Sequence, residues 1–421
     1  MMHKVTLQRL TRLLTPILFL IFFWQTRIAI FEKYALYDYS IWFLYATDIV
    51  IVFLILGTAF LFTRKQLTDY KYIFLIGLFL IAVSIISASN VLSASAQLYR
   101  LFRIILGLGF VLWLVLFLRN TKYPVSRIII ILTIGFLPLG LIGFSEIMLG
   151  KSLGLKLIGE WDFSLAMPGI ATLRINDFLL LRPYATFPHP NVFGAIAGML
   201  ALYWILREQV QTVFVRWIQV FMVGALIISF SRTSWIGFGV VLLIYKGRSI
   251  ITFFKSSTDG VKFILGGLLI TVLILMTSRV FQLGSDDVLS VTRRIDLNKI
   301  AILMWQDFPI LGIGLNQFIY QLGNYWENMN ATRFYQPAHN IYLLVLAELG
   351  AVGFVVIMST LLKTIIIAWG KLPIEIRGWW IFISITGLFD HYWITLPATY
   401  YMFCLTLGLT LARIRDSNEK E

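Results

Sequence analysis

Apolar runs of about 20 residues recur along nearly the whole chain, and this repetition constrains the fold more than any motif. Wound as a helix rising about 1.5 Å per residue, each run can cross the roughly 30 Å of hydrocarbon in a bilayer. Apolar residues make up 59% of the 421 and charged residues 13%, which is too little polar surface for a soluble protein of this size. An outer-membrane barrel would show short alternating strands instead. The expected fold is therefore all-α: a polytopic transmembrane helical bundle forming a single membrane domain over 1–421, with a partly helical outer loop. Hydropathy places about twelve spans, at about 12–31, 41–63, 71–89, 97–118, 127–149, 191–207, 214–230, 234–247, 261–278, 339–362, 375–391 and 394–412. The seventh and eighth are poorly separated.

Basic residues orient the bundle. Lys4, Arg9 and Arg12 precede the first span; Arg64, Lys65 and Lys71 follow the second; Arg119, Lys122 and Arg127 lie between the fourth and fifth. Arg207 and Arg216, then Lys246, Arg248, Lys255 and Lys262, then Lys371 and Arg377 mark later inside loops, and Arg413, Arg415 and Lys420 close the chain. Short loops rich in Lys and Arg stay in the cytoplasm, so both termini are expected inside. Much of the formal charge of +14 is then topological, and no nucleic-acid partner is implied. The first run, interrupted at Gln25 and Arg27, reads as a span and not as a cleaved leader. One cysteine, Cys404, excludes an intramolecular disulfide and argues against a thiolate metal site.

This topology leaves two substantial segments outside, at about 150–190 and about 279–338. The second predicts a helix. Thr292 can cap it, and Leu297, Ile300, Ala301 and Met304 recur at helical spacing before a stop near Asp307, Pro309 and the "LGIG" turn. Such a stripe suits a helix lying on the membrane surface or packed over the bundle mouth.

Chemistry-bearing residues gather at the same outer face: Arg182, His189, Arg232, Arg293, Arg294, His339, Asp390 and His391. Arg232, in "ISFSRTSWIGF", sits between two apolar segments, where an idle arginine is costly. It either fixes an anion, pairs with an acid such as Asp390, or snorkels to lipid phosphate. Arginine suits phosphate because its planar fork supplies paired donors and its charge does not titrate away. Several arginines at one mouth therefore point to a phosphate or diphosphate at headgroup level, with Arg182 and Arg294 as further candidates. Periodicity alone would turn Arg293 toward the packed side instead of Arg294, because Arg293 is in line with Leu297, Ile300 and Met304.

His339 and Asn340 open a long apolar run in "AHNIYLLVLAELGAVGF". A histidine there is either a helix-start cap or a general base, since imidazole chemistry operates near neutrality. Glu348 lies about 13 Å deeper by helical rise and on the opposite face, which suits a buried structural acid better than a partner for His339. Gly350 and Gly353 are expected to permit close helix contact. His189 and Asn191 fall in "TFPHPNVFGAI", whose prolines fix the start of the sixth span. Glu32 and Asp38 are reserve acids on the first outer loop. No two histidines share ligand spacing, and Asp286–Asp287 reads as a solvated pair, so no metal is expected. Neither a glycine-rich phosphate loop nor a serine-nucleophile motif appears, so no cofactor is implied, and an enzyme built this way would use an already activated, membrane-bound donor.

From about Arg182 onward the chain resembles the bacterial O-antigen ligase and O-antigen polymerase superfamily. The resemblance rests on "RPYATFPHPNVFG", "SRTSW", "RIDLNKIAILMWQDFPILGIGLNQF" and "AHNIYLLVLAELGAVGF", in that order. It implies a multi-helix glycosyltransferase of GT-C-like fold in the bacterial inner membrane, moving a glycan from undecaprenyl diphosphate to an acceptor hydroxyl on the periplasmic side without nucleotide or metal. Partners implied are the undecaprenyl-diphosphate-linked glycan donor, a lipid A-core or other glycan acceptor, and membrane lipid. Arg232 stands where the family has the arginine of its serine-arginine motif, Arg294 where an arginine opens its loop helix, and His339 where it has its presumed base. One departure is Asn298, where that loop helix usually carries tryptophan. A ligase reading is favoured over a polymerase. The rival from another class is a polysaccharide or lipid transporter, which would favour midplane charges, for which Asp48 and Glu348 are the candidates, or broken helices.

Overall fold

The computed structural model describes residues 2–31, 41–61, 70–175, 178–207, 212–256, 258, 285–328 and 335–414. The expected ninth span, at 261–278, and Glu32 and Asp38 lie outside the described residues. The chain is mostly helical, with two small antiparallel hairpins.

Helices stand at the other expected spans. They are α1 (Met2–Leu20), α2 (Ala46–Leu61), α3 (Lys71–Ile86), α4 (Ala94–Thr121), α5 (Val125–Leu149), α6 (Pro190–Leu206), α7 (Val213–Ile228) and α8 (Arg232–Ser256). After the outer helix α9 (Ser285–Asp307) come α10 (Ile341–Trp369), α11 (Ile374–Gly387) and α12 (Pro397–Leu411). Among the described residues, four helical stretches are long and apolar enough to cross a membrane: α4, α5, Arg232–Phe253 of α8, and α10. Several helices differ from the expected bounds. The first stops at Leu20, and the chain beyond it runs as strand β1 (Arg27–Phe31), paired with β2 (Trp42–Tyr45) ahead of α2. The polar Gln25 and Arg27 that interrupt the first apolar run lie beyond the helix end, Gln25 ahead of β1 and Arg27 as its first residue. A second hairpin, β3 (Thr172–Ile175) and β4 (Phe178–Leu181), lies in the outer segment before α6.

The middle of the bundle is α6, buried over nearly its whole length. Its sequence explains that position: Gly194, Ala195, Ala197, Gly198 and Ala201 leave room for α7, α8 and α11 to approach. The same core continues where α1, α2, α4 and α12 pack around Phe22, Phe110, Trp113 and Tyr401. Asp48 is fully buried there. It accepts from Arg103 at 2.5 Å, from Tyr401 Oη at 2.6 Å and from the Tyr45 amide at 2.9 Å, which ties β2 to α4 and α12. A paired, hydrogen-bonded carboxylate in that setting is a structural tie, so Asp48 gives no support to a transport path.

The predicted outer helix is present, and Leu297, Ile300, Ala301 and Met304 are buried as the stripe requires. It packs on α10 through Phe318, Leu344 and Ala347. Its start differs from expectation: the helix begins at Ser285, so Thr292 is inside it and caps nothing. Asp286 and Asp287 fall on its first turn.

Helix α10 is broken at Gly350, where φ is +62° and ψ −172°. The gap is filled by Pro309–Gly314. Amides of Ala351 and Val352 donate to the Pro309 and Ile310 carbonyls at 2.8 and 3.2 Å, and amides of Ile313 and Gly314 donate to the Ala347 and Glu348 carbonyls at 3.0 Å each. Gly350 therefore permits a close approach, as expected, but of a loop backbone and through a break in its own helix. The break is refilled by protein main chain, which is how non-helical backbone is tolerated at membrane depth.

Candidate functional site

The turn between α7 and α8 consists of Ser229, Phe230 and Ser231 alone, which is why the two spans could not be separated by hydropathy. Phe230 sits at φ +49°, an uncommon conformation for a bulky residue. The Ser231 hydroxyl accepts the Ser234 amide at 3.4 Å and lies 2.9 Å from the Ser234 hydroxyl, while the Ser231 carbonyl accepts from Trp235. Arg232 is thereby fixed as the first residue of α8, where the helix dipole also favours an anion.

Arg182 holds that turn from the other side. Its Nε and Nη2 donate to the Ser229 carbonyl at 3.1 and 2.9 Å, and Nη2 also donates to Asn191 Oδ1 at 2.9 Å. The chain reaches Arg182 from β4, and Glu146 accepts the next amides, Tyr184 and Ala185, at 2.7 and 2.9 Å. His189 then caps α6, its Nδ1 accepting the Asn191 amide at 3.0 Å. That bond places the ring proton on Nε2.

From Asn191 the network continues to the other side of the mouth. Its Nδ2 donates to Asp390 Oδ2 at 2.9 Å. The other carboxylate oxygen, Oδ1, accepts the His391 amide at 2.9 Å and stands 3.5 Å from His339 Nδ1. His339 is partly exposed, with Nε2 3.3 Å from Gln336 Oε1, and its ring meets that of His391 edge-on at 5.1 Å. Asn340 accepts the amides of Tyr342 and Leu343 at 2.9 and 3.1 Å, so it is the cap of α10.

Arg182, His189, Asn191, Arg232, His339, Asp390 and His391 line one cavity of about 900 Å³, together with Arg293 and Arg294 from α9. Of the expected site residues, Arg182, His189, Asn191, Arg232, Arg293, Arg294 and His339 share its wall; Asn340 does not. Glu348, expected as a buried structural acid, is buried and also lines this cavity. Both Arg293 and Arg294 reach the wall, but the field of Arg294 is the one felt at His189, Asp390 and His391.

Electrostatics divide the cluster. Burial works against the Asp390 charge, but the His339 bond and the fields of His339, His391 and Arg294 outweigh it and hold the carboxyl well below the usual carboxylate range. Burial, then the Arg182 charge, pushes His189 down to about 3. Burial, then the His339 charge, pushes His391 down to about 3. At neutral pH those two rings are uncharged. His339 is the histidine that combines partial exposure with an adjacent carboxylate.

Sequence spacing missed the juxtaposition of His339 with Asp390 and His391, which lie about 50 positions further along. A hint was present in that all three fell at outer span ends. Ligand atoms of the three lie within 4.8 Å of one another, a set able to hold a metal ion. Here Asp390 spends Oδ2 on Asn191 and Oδ1 on the His391 amide, His391 Nδ1 lies 2.6 Å from Thr395 Oγ1, and arginine fields surround the group. The donors are committed to a hydrogen-bonded network through Asn191, Asp390 and His391, with His339 Nδ1 3.5 Å from its carboxylate.

Residues 217–358 match the family model described as O-antigen ligase. That stretch includes Arg232, Arg293, Arg294 and His339, while Arg182, His189, Asn191, Asp390 and His391 come from the chain on either side of it. No curated protein matches the chain.

Proposed function

On the premise that the domain at residues 217–358 supports membership of the O-antigen ligase and polymerase superfamily, we propose that this protein is a glycosyltransferase. It moves a glycan from undecaprenyl diphosphate to an acceptor hydroxyl at the periplasmic face of the inner membrane, as an O-antigen ligase acting on lipid A-core. The observation that carries this reading is the 3.5 Å approach of His339 to Asp390 in a cavity shared with Arg232 and Arg294.

In the reaction, the acceptor oxygen attacks the anomeric carbon and gives its proton to His339 Nε2. Asp390, beside Nδ1, orients the ring and stabilises the imidazolium that forms, the role a buried aspartate plays beside other catalytic histidines. The bond from the anomeric carbon to the diphosphate oxygen breaks, and undecaprenyl diphosphate departs with its charge held by Arg232 and Arg294. Stabilising that developing charge is the larger part of the work. Direct displacement inverts the anomeric centre. Arg182 acts one layer back, holding the Ser229 turn and Asn191. His189, uncharged, offers an Nε2–H donor to the substrate in place of a cation.

The broken α10 invites the transporter reading, but protein backbone fills the break. The deciding experiment is transfer by the purified protein in vitro, using undecaprenyl-diphosphate glycan with either core lipopolysaccharide or a second lipid-linked repeat as acceptor. Transfer to core alone supports the ligase and transfer to the repeat alone supports the polymerase. Movement of intact donor across vesicles without transfer would overturn both.

A further inference from the structure

We infer that the wall formed by the β1–β2 hairpin and the first turns of α4 is the acceptor side of the cavity, a subsite for a sugar ring read by Arg100, Glu348 and Tyr99. This inference rests on the glycosyl-transfer reading above and deepens it.

The wall is built before any ligand arrives. Trp42 stacks on Tyr99 with ring centres 5.4 Å apart and planes 28° from parallel, and its Nε1 donates to the Ser95 carbonyl and hydroxyl. Tyr99 Oη donates to the Phe43 carbonyl at 3.2 Å and accepts the Phe43 amide at 3.4 Å. Arg27 lies 4.0 Å over the Phe43 ring and donates to Tyr45 Oη. The hairpin is thus pinned to α4, and Phe43, Tyr45 and Tyr99 enter the cavity lining as fixed aromatic groups.

Two arginines on α4, one helical turn apart, contrast sharply. Arg103 is committed to Asp48 and is buried. Arg100 lines the cavity, lies 5.9 Å over the Tyr400 ring, and makes no hydrogen bond or ion pair among the described residues. A guanidinium has five donors and no acceptor, so in a partly buried wall it calls for oxygen atoms from a ligand. Glu348 lines the same cavity, within electrostatic reach of Arg100 and of the Asn316 and Phe318 amides. A fork of donors and a pair of acceptors, beside an aromatic face, match the vicinal hydroxyls and apolar C–H face of a pyranose. The field of Arg100 reaches His391, next to the base, so this wall and the diphosphate wall belong to one chamber.

The test is steady-state transfer by the full-length protein with donor saturating and acceptor varied, and then the reverse. Undecaprenyl-diphosphate-linked repeat and core lipopolysaccharide serve as the two acceptors. Arg100→Gln removes charge-assisted hydrogen bonds, so the acceptor KM should rise about 10-fold or more. The donor KM and the kcat at saturating acceptor should stay within about twofold. Tyr99→Leu should move the same constant in the same direction. Should Arg100→Gln lower the melting temperature, Arg100→Lys, which keeps the charge and loses the fork, carries the test with a smaller rise in acceptor KM. Acceptor KM unchanged in the variants, or donor KM shifted equally, overturns the subsite while leaving the transferase intact. A wild-type protein that transfers to neither acceptor overturns the transferase reading itself.

Discussion

His339 Nδ1 stands 3.5 Å from Asp390 Oδ1, and the other oxygen of that carboxylate is held by Asn191, itself bonded to Arg182. A helix-capping histidine has no need of this arrangement, and the cap of α10 is in any case Asn340. A positioned base contributes about 10²–10⁴-fold, so His339→Ala should lose most turnover while the protein still folds and binds donor. His339→Gln should be equally poor, and near-normal transfer by that variant would remove the base role. Asp390→Asn, which keeps size but loses charge, should lower kcat by less than His339→Ala with little change in donor KM.

For the arginines, Arg232→Lys and Arg294→Lys keep charge and lose the fork, so both should cut transfer severalfold or more. Arg293→Ala should cost less than Arg294→Ala, because the Arg294 field is the one acting on the relay. Transfer rates of the two alanine variants decide it, and a larger loss for Arg293 would show that helical periodicity names the better residue.

How much of this was legible from sequence depends on the kind of signal. The α9 stripe could be found because packing imposes a period of 3.6, and Leu297 through Met304 are buried accordingly. Arg232 and His339 stood out as polar groups that interrupt apolar runs. The hairpin at Arg27–Phe31 could not be seen, since four or five apolar residues beside a helical run carry no period of their own. The Asp390–His339 approach joins segments about 50 positions apart, and no local spacing encodes it. Arg182 was read as a phosphate ligand because its chemistry allows that; it lines the cavity, and its Nε and Nη2 also hold Ser229 and Asn191, partners that no local spacing encodes.

Gly350→Ala should destabilise the protein by about 1–3 kcal/mol, the usual cost of a non-glycine residue forced into such a conformation. The new methyl would also meet the Ile310 carbonyl and the Leu311 nitrogen, which are backbone and cannot swing aside. At Gly353 the nearest atoms to a new methyl belong to the Leu349 side chain and φ is not positive, so Gly353→Ala should cost less. Thermal unfolding of the two variants in detergent would rank them, and equal melting temperatures would contradict the splice at Gly350.

Stability should fall as the medium is acidified from about pH 6.5. His189 and His391 have folded values pushed down to about 3, whereas an unfolded histidine titrates near 6.5. Between these values the unfolded chain binds protons that the folded one refuses, so stability is full above about 6.5 and is lost as pH drops toward 3. Asp390 adds its own loss only below about pH 4, where an unfolded carboxylate begins to protonate. Melting temperature measured from pH 7 to 5 checks this. His391→Gln should flatten the slope, and an unchanged slope would mean that His391 does not titrate between the two states.

Chelator should leave the transfer rate unchanged if His339, Asp390 and His391 act as a hydrogen-bonded relay. A rate that collapsed with EDTA and returned with added divalent cation would reassign the three as metal ligands.

The splice of Pro309–Gly314 into the break at Gly350 bears on how the protein is made. A helix entering lipid with a gap in its hydrogen-bond ladder exposes bare carbonyls and amides to hydrocarbon. The segment that fills this gap precedes α10 in the chain, so it leaves the ribosome first and is already on hand when the helix follows. Reversing that order, as in a circular permutant that synthesises α10 ahead of residues 309–314, would send the helix into the bilayer with its gap unfilled. Biogenesis in the natural direction avoids that step, and so the order of the chain is itself part of how this fold reaches the membrane.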